Sequence, residues 1–184
     1  MIDEIMEYNR KFVENKGYEP YLTSKYPDKK LAILTCMDTR LLELLPAALG
    51  IKNGDAKIIK NAGGVIVHPY GSVVRSLLVG ILELGVEEVM VIGHTDCGVQ
   101  GMDGSEMLDM LVERGIDQQH IDIVRHSGID LERWLGGFES VESSVHETVR
   151  RLKEHPLMPK DVRISGFIMD SATEIGRASC RERV

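Results

Sequence analysis

The stretch Leu31-Ala32-Ile33-Leu34-Thr35 is a short apolar run that ends directly before Cys36. A run of this length and character is typical of a strand that is buried on both faces of a parallel sheet. Three further runs of the same kind follow along the chain, at 57–60, 88–93 and 162–168. We expect each of them to be a strand of the same sheet.

Helical patterns separate these runs. Apolar residues recur at helical spacing in 1–13, 41–49, 71–84 and 141–152. The segment 71–84 is the most apolar, which predicts burial on most of its sides, for instance in a subunit interface. The helix at 1–13 either packs on its own domain or reaches across to another subunit. Strands that alternate with helices indicate an α/β fold with a mostly parallel central β-sheet of about four strands, flanked by helices.

The composition is that of one globular domain. The chain has 184 residues, of which 43% are hydrophobic and 28% charged, and this length is typical of a single domain with a full core. We assign residues 1–170 to a single α/β zinc-enzyme domain. Residues 171–184 have no apolar periodicity, which predicts a non-native or disordered tail in which Cys180 is a stray thiol.

Charge and hydropathy limit the partners and the location. The net charge of −7 argues against nucleic acid as a partner, because nucleic-acid binding requires a basic face. No apolar run reaches the roughly 20 residues that span a bilayer, and residues 1–12 do not resemble a signal peptide. We therefore expect a cytoplasmic protein without a membrane partner. In that reducing compartment, cysteines bind metals or catalyse reactions more often than they form disulfides.

Two predicted strand ends carry residues that bind metals. Cys36 follows the first strand, and His94 follows the strand at 88–93, with Cys97 three residues later. Ligands of open α/β sheets bind beyond the carboxyl ends of the strands, so we expect these side chains to converge. Two cysteines and one histidine suit Zn²⁺ and leave a fourth position for water. The alternative is a buried cysteine and a hydrogen-bonded histidine without a metal, each of which is common singly.

Asp38 and Arg40 alternate with Cys36. If the chain stays extended there, all three side chains point to the same side. A carboxylate beside two thiolates needs a cation to stay ionised and fixed, and Arg40 can bind it through two parallel hydrogen bonds. This pair indicates catalysis rather than a structural site. A phosphatase loop is excluded because position 42 is leucine, and the glycine-rich motifs of nucleotide binding are absent.

Three motifs together resemble the β-class carbonic anhydrases, in particular the small branch found in archaea and bacteria. They are Cys-Met-Asp-Thr-Arg at 36–40, Asn-Ala-Gly-Gly at 61–64 and Gly-His-Thr-Asp-Cys-Gly at 93–98. The resemblance covers residues 31–98 well, with the strand region 162–170 as weaker support. That family usually adds a further edge strand after the position of Asp170, and the unusual sequence of 171–184 departs from this pattern.

The resemblance implies a zinc ion held by Cys36, His94 and Cys97, with Asp38 and Arg40 as a catalytic pair. It also implies a parallel-sheet core and a homodimer that can assemble into a higher homo-oligomer. No other cofactor is implied.

The implied reaction is that of a carbonate dehydratase, a lyase that reversibly hydrates CO₂ to bicarbonate by means of zinc-bound hydroxide. Asp38 would orient the hydroxide, or would instead bind zinc itself and close the site at low pH. A carbonyl sulfide or carbon disulfide hydrolase would use the same fold and a similar zinc site. A non-catalytic zinc or redox-responsive module is the third candidate, and its metal would be fully coordinated by protein.

Overall fold

A computed structural model describes residues 1–173 and 175–178, the latter as backbone only. Its strands are β1 (Leu31–Cys36), β2 (Ala56–Asn61), β3 (Glu88–His94), β4 (Arg163–Met169) and β5 (Ile175–Ala178). They form one sheet in the order β2-β1-β3-β4-β5. The strands β1 to β4 are parallel, and β5 is antiparallel to β4. The predicted α/β fold is confirmed, and each of the four predicted strands lies within one residue of its expected bounds.

The strand β5 lies in the segment 171–184, for which the sequence predicts a non-native or disordered tail. Its backbone pairs with Phe167, Ile168 and Met169 of β4, so an edge strand follows Asp170 after all. Positions 174 and 179–184, with Cys180, lie outside the described residues. The domain boundary at residue 170 stays a prediction.

The helices surround the sheet. They are α1 (Ile2–Glu14), α2 (Leu44–Ala48), α3 (Ser72–Leu84), α4 (Gly104–Glu113), α5 (Gln118–His126), α6 (Leu131–Leu135) and α7 (Val141–Glu154). The single helix expected at 41–49 is a 3₁₀ turn at Thr39–Leu41 followed by the short α2. Asp38 precedes this turn and caps it, because its carboxylate accepts a hydrogen bond from the Arg40 N–H.

The order of the strands determines where a ligand can bind. β1 lies between β2 and β3, so the chain leaves β1 on one side and returns on the other. Neighbouring strands with diverging connections form a switch point, and α/β sheets bind ligands at its carboxyl edge. Cys36 is the last residue of β1 and His94 is the last residue of β3. The two predicted metal ligands therefore meet at this switch point.

The sheet is covered on both faces. Ala32 and Leu34 of β1 pack into a core with α3 and α7, while Ile33 packs into a second core with Leu41 and Leu45. This alternation follows from the two-residue period of a strand. A smaller cluster joins α4, α5 and α6 through Leu108, Ile121 and Leu131.

Two helices leave apolar surface exposed. α3 buries Val74, Leu77 and Gly80 on one face, but Leu82 is 68% exposed, so the predicted burial on most sides is not found within one chain. α1 contains no buried residue, and its apolar side chains Ile2, Ile5 and Met6 face solvent. Among the described residues, no helix combines the length and apolar character needed to cross a membrane.

Candidate metal centre

The three predicted metal ligands converge. The sulfur atoms of Cys36 and Cys97 lie 3.8 Å apart, and the donor atoms of Cys36, His94 and Cys97 all lie within 4.8 Å of one another. All three residues are buried. β1 and β3 deliver the first two ligands, and the turn after β3 delivers Cys97. Two thiolates and an imidazole form the donor set of catalytic zinc sites that keep one open position.

His94 shows that a metal fits here. Its Nδ1–H donates a hydrogen bond of 2.8 Å to the carbonyl of Thr95, so Nε2 is the nitrogen that carries the lone pair when the ring is neutral. Nε2 is buried and has no hydrogen-bond partner among the described residues. A buried lone pair without a partner is costly, and a metal at this point would satisfy it. A second hydrogen bond that fixes the tautomer of a metal-binding histidine is the usual arrangement.

The two thiols have different electrostatic surroundings. Burial raises the pKa of Cys36, but in the metal-free site the interaction with the His94 side chain, whose own pKa Cys36 raises, and the backbone N–H groups of Asp38 and Gly63 outweigh it and bring the pKa down to about 7. Burial raises the pKa of Cys97. Cys36 is therefore the better thiolate in the metal-free site, and a metal cation would favour the thiolate form of both.

Arg40 binds Asp38 through two parallel hydrogen bonds. Its Nε donates to Oδ1 of Asp38 at 3.0 Å, and its NH2 donates to Oδ2 at 2.8 Å. These bonds hold the pKa of Asp38 well below its ordinary value, so the carboxylate is ionised at neutral pH. Oδ2 lies 3.9 Å from Nε2 of His94. The charged carboxylate thus stands beside the metal position.

The turn at Ala62–Gly64 explains the paired glycines in the sequence. Gly63 and Gly64 have φ angles of 82° and 65°, which favour glycine. A Cβ on Gly64 would lie 2.9 Å from the carbonyl carbon of Thr35 and 3.0 Å from the nitrogen of Cys36. The turn can therefore approach the end of β1 closely, and the backbone N–H of Gly63 helps to lower the pKa of Cys36. The side chain of Asn61 closes the turn through hydrogen bonds to both backbone groups of Val65.

A cleft of about 960 Å³ opens beside the metal position. Cys36, Asp38 and Arg40 lie on one side of it. The other lining residues are mostly apolar and come from the loop after β2, the loop between β3 and α4, and the helices α4 and α6: Val65, Val67, Val99, Met102, Met107 and Trp134. Such a cleft admits a small apolar molecule to a polar reaction centre.

Sequence reasoning missed two parts of this site. Asp96 binds Arg40 through its carboxylate and its main-chain carbonyl, and Trp134 of α6 lines the cleft. The sequence contained a usable signal for Asp96, which stands between two predicted ligands. The position of Trp134 depends on the path of the loops.

Comparison with known proteins identifies the family. A family model described as carbonic anhydrase matches residues 31–173. The Bacillus subtilis protein YvdA, which is provisionally named a carbonic anhydrase, is 51% identical over 172 residues that span 94% of this chain and 87% of that protein. A carbon disulfide hydrolase from Saccharolobus solfataricus is 32% identical over 158 residues, which span 79% of this chain and 75% of that enzyme.

The fold agrees with this assignment. The crystal structure of the β-carbonic anhydrase isoform I from Trichomonas vaginalis superimposes with a TM-score of 0.83 and 34% identity, and the match covers 94% of this chain and 93% of that one. The family expected from the three motifs is therefore confirmed, and this chain belongs to the β-class carbonic anhydrases.

Proposed function

We propose that this protein is a zinc-dependent carbonic anhydrase that reversibly hydrates CO₂ to bicarbonate. The observation that carries the proposal is the ionised Asp38, held by Arg40 with Oδ2 3.9 Å from the unpartnered Nε2 of His94. A purely structural metal site needs no oriented carboxylate beside it. Membership of the carbonic anhydrase family supports the same reaction.

Cys36, His94 and Cys97 would hold the metal ion, and their chemistry favours zinc. Zinc bound there would lower the pKa of a water molecule and so supply hydroxide near neutral pH. Because two thiolates cancel the charge of the ion, the water would be less acidified than in a site of three neutral histidines. The reaction therefore depends more strongly on the surrounding side chains.

Asp38 would accept a hydrogen bond from the attacking oxygen and aim its lone pair at CO₂. Arg40 would keep the carboxylate ionised and prevent it from rotating, since it donates to both oxygens. The apolar walls of the cleft would admit CO₂, and the released proton would leave through the open side of the cleft. The engagement of both Asp38 oxygens by Arg40 favours this orienting role over direct binding of Asp38 to the metal.

Carbon disulfide or carbonyl sulfide hydrolysis is the second candidate. The relatives named carbon disulfide hydrolase support it, and these linear apolar substrates would enter the same cleft. Higher identity to YvdA favours CO₂. The third candidate, a non-catalytic zinc or redox-responsive module, does not account for the Asp38–Arg40 pair.

The protein would act as a homodimer or a higher homo-oligomer in the cytoplasm. The solvent-facing apolar side chains of α1 support a second copy as its packing partner, because an isolated helix of this length is marginal in water. The buried free thiols of Cys36 and Cys97 suit a reducing compartment.

Stopped-flow measurement of CO₂ hydration by the zinc-loaded wild type and by Asp38→Ala tests the proposed function. We expect the variant to retain zinc and to lose about 100-fold or more in kcat, which is typical for the loss of a group that orients or exchanges a proton. Parallel assays with carbonyl sulfide and carbon disulfide separate the two hydrolase candidates. Equal CO₂ hydration by both proteins, with equal zinc content, would contradict the mechanism.

A further inference from the structure

The loop at 65–71, here called the wall loop, connects the Ala62–Gly64 turn to α3 and forms one wall of the metal cleft through Val65 and Val67. Its own hydrogen bonds are short-range, such as the bond from the N–H of Gly71 to the carbonyl of His68. Within the described part of the chain, its backbone is bonded to a distant element at two carbonyls only, and both bonds come from α7 and its C-cap.

The first bond comes from Arg151. Its NH1 donates to the carbonyl of Ile66 at 2.7 Å, while its Nε donates to Glu147 at 2.7 Å. The ion pair fixes the guanidinium on α7, so the remaining N–H points at the loop. Arg150 also binds Glu147, but its other partner is Glu154 on the same helix. Adjacent arginines thus share one carboxylate, and only Arg151 reaches the wall loop.

The second bond comes from His155, which caps α7 and is 5% exposed. Its Nε2–H donates to the carbonyl of Pro69 at 2.9 Å, and its Nδ1 accepts from the N–H of Leu157 at 3.2 Å. Both nitrogens of the His155 ring therefore have a hydrogen-bond partner, and the two bonds fix its tautomer with the proton on Nε2. The ring of Tyr70 packs edge-on against it at 5.5 Å.

The wall loop continues directly from the turn that contacts the metal ligand. Ile66 is buried in the core between the sheet, α3 and α7. Directly before Val65, Gly64 lies so close to the end of β1 that a Cβ on it would be 3.0 Å from the nitrogen of Cys36. A shift of Ile66 would therefore be transmitted along a few backbone bonds to the turn that packs against Cys36 and to the apolar wall.

We infer that Arg151 and His155 are positioning residues of the metal centre, which act through the carbonyls of Ile66 and Pro69 on the wall loop. They touch neither the metal position nor the cleft. They set the place of the Gly63–Gly64 turn beside Cys36 and of the Val65 and Val67 wall. The catalytic consequence rests on the proposed function, whereas the consequence for metal affinity does not.

The adjacent arginines provide a matched pair of variants. Arg151→Met keeps an unbranched, largely apolar stem and removes the guanidinium that bonds to Ile66, and Arg150→Met removes the ion pairs of the adjacent arginine on the same helix. Zinc affinity is measured by competition with a chromophoric chelator, and kcat and KM by stopped flow. We expect Arg151→Met to weaken zinc binding and to lower kcat/KM by roughly 10-fold or more, as for other residues that support metal ligands. Arg150→Met should match the wild type in both.

Conservative variants distinguish a role in positioning the metal centre from a general contribution to the stability of the fold. Arg151→Lys has a single ammonium for two acceptors, so we expect intermediate zinc affinity. His155→Gln offers both a donor and an acceptor and should stay close to the wild type, whereas His155→Leu should resemble Arg151→Met. If Arg151→Met does not fold, zinc competition with the two His155 variants tests the positioning role instead.

The inference is overturned if Arg151→Met or His155→Leu lowers the melting temperature but leaves zinc affinity and kcat/KM at the wild-type values. It is also overturned if the Arg150→Met control loses as much zinc affinity as Arg151→Met. If the zinc-loaded wild type does not hydrate CO₂, the proposed function fails, and the zinc affinities still test the positioning role.

Discussion

Asp96 binds Arg40 from two sides. The carboxylate Oδ2 of Asp96 accepts from NH1 at 2.8 Å, and its main-chain carbonyl accepts from NH2 at 2.8 Å. Asp96 has a φ of 55°, in the left-handed region that aspartate tolerates better than most residues. Since the same guanidinium also binds Asp38, the turn between the predicted ligands His94 and Cys97 fixes the carboxylate of Asp38 beside the predicted ligand Cys36.

Two substitutions of Asp96 should separate its two bonds. The Asp96 carboxylate is 84% exposed, so its ion pair is screened and worth about 1 kcal/mol or less. We therefore expect Asp96→Gly, which tolerates the backbone angle and keeps the carbonyl, to retain CO₂ hydration within about fivefold of the wild type. Valine strongly disfavours the left-handed conformation, so Asp96→Val should displace the main-chain carbonyl. We expect this variant to lose roughly tenfold or more in CO₂ hydration.

The readout is kcat/KM at fixed zinc content. An equal loss of more than about tenfold in both variants, which both lack the carboxylate, would show that the carboxylate, rather than the backbone carbonyl, orients Arg40.

Removal of the metal should destabilise the whole fold. The site joins the carboxyl ends of β1 and β3, so bound zinc links the two central strands of the sheet. Ligand binding to the native state alone adds about 2.7 kcal/mol at a free concentration 100 times the Kd. We expect the melting temperature to fall on treatment with a chelator and to recover with added zinc.

The Cys97→Ser variant provides the control for this experiment. Because serine is a poor zinc ligand, the melting temperature of this variant should respond little to zinc. A wild-type melting temperature that does not depend on zinc would contradict the predicted site.

The α/β fold and the ligand set were accessible from the sequence because they rest on local patterns. The apolar run before Cys36 specifies a strand by itself, and the cluster His94 to Cys97 follows another such run. The helices α4, α5 and α6 were not predicted. Each begins at an aspartate whose carboxylate accepts a backbone N–H, at Asp103, Asp117 and Asp130, but aspartate is equally common in turns.

Contacts made through tertiary structure could not be predicted in the same way. The bond from Arg151 to Ile66 joins residues that are far apart in sequence, and nothing in either local pattern indicates it. The same holds for Asp96, whose backbone angle aims its carbonyl at Arg40. The strand β5 was missed because its sequence has no apolar alternation, and its pairing with β4 is a backbone interaction.

Glu147 should contribute a pH-dependent part of the stability. Hydrogen bonds from Arg151, and secondarily from Arg150, lower its pKa from the ordinary value of 4.5. A carboxylate with a lowered folded-state pKa stabilises the fold above its unfolded-state pKa, and this contribution is lost as the pH falls through the folded-state pKa. We therefore expect Glu147→Gln to be less stable than the wild type at pH 7, with a difference that narrows below pH 4.5.

Urea unfolding at a series of pH values measures this difference. Glu113→Gln, at the exposed end of α4, is the control and should not show the same pH-dependent difference. A constant difference between wild type and Glu147→Gln across the acidic range would refute the assignment.

The apolar face of α1 should be buried by a second copy of the chain. Ile5 is 60% exposed and Met6 is 59% exposed, and burial of such side chains is worth about 1.5–3 kcal/mol each. We expect Ile5→Lys to shift the protein from a dimer towards a monomer in analytical ultracentrifugation. Glu4→Gln on the polar side of the same helix should leave the dimer intact, and an unchanged dimer in Ile5→Lys would exclude this face as the interface.

The order β2-β1-β3 has a consequence for how the protein is made. Cys36 leaves the ribosome well before His94 and Cys97, and the β2 and α3 segments separate them in the chain. The complete donor set therefore exists only after β3 has been synthesised and has docked beside β1, a long-range pairing of the kind that slows folding. We therefore expect metal capture to be a late event in biosynthesis, and the appearance of a thiolate-to-metal absorption band during refolding with Co²⁺ would time the docking of the two central strands.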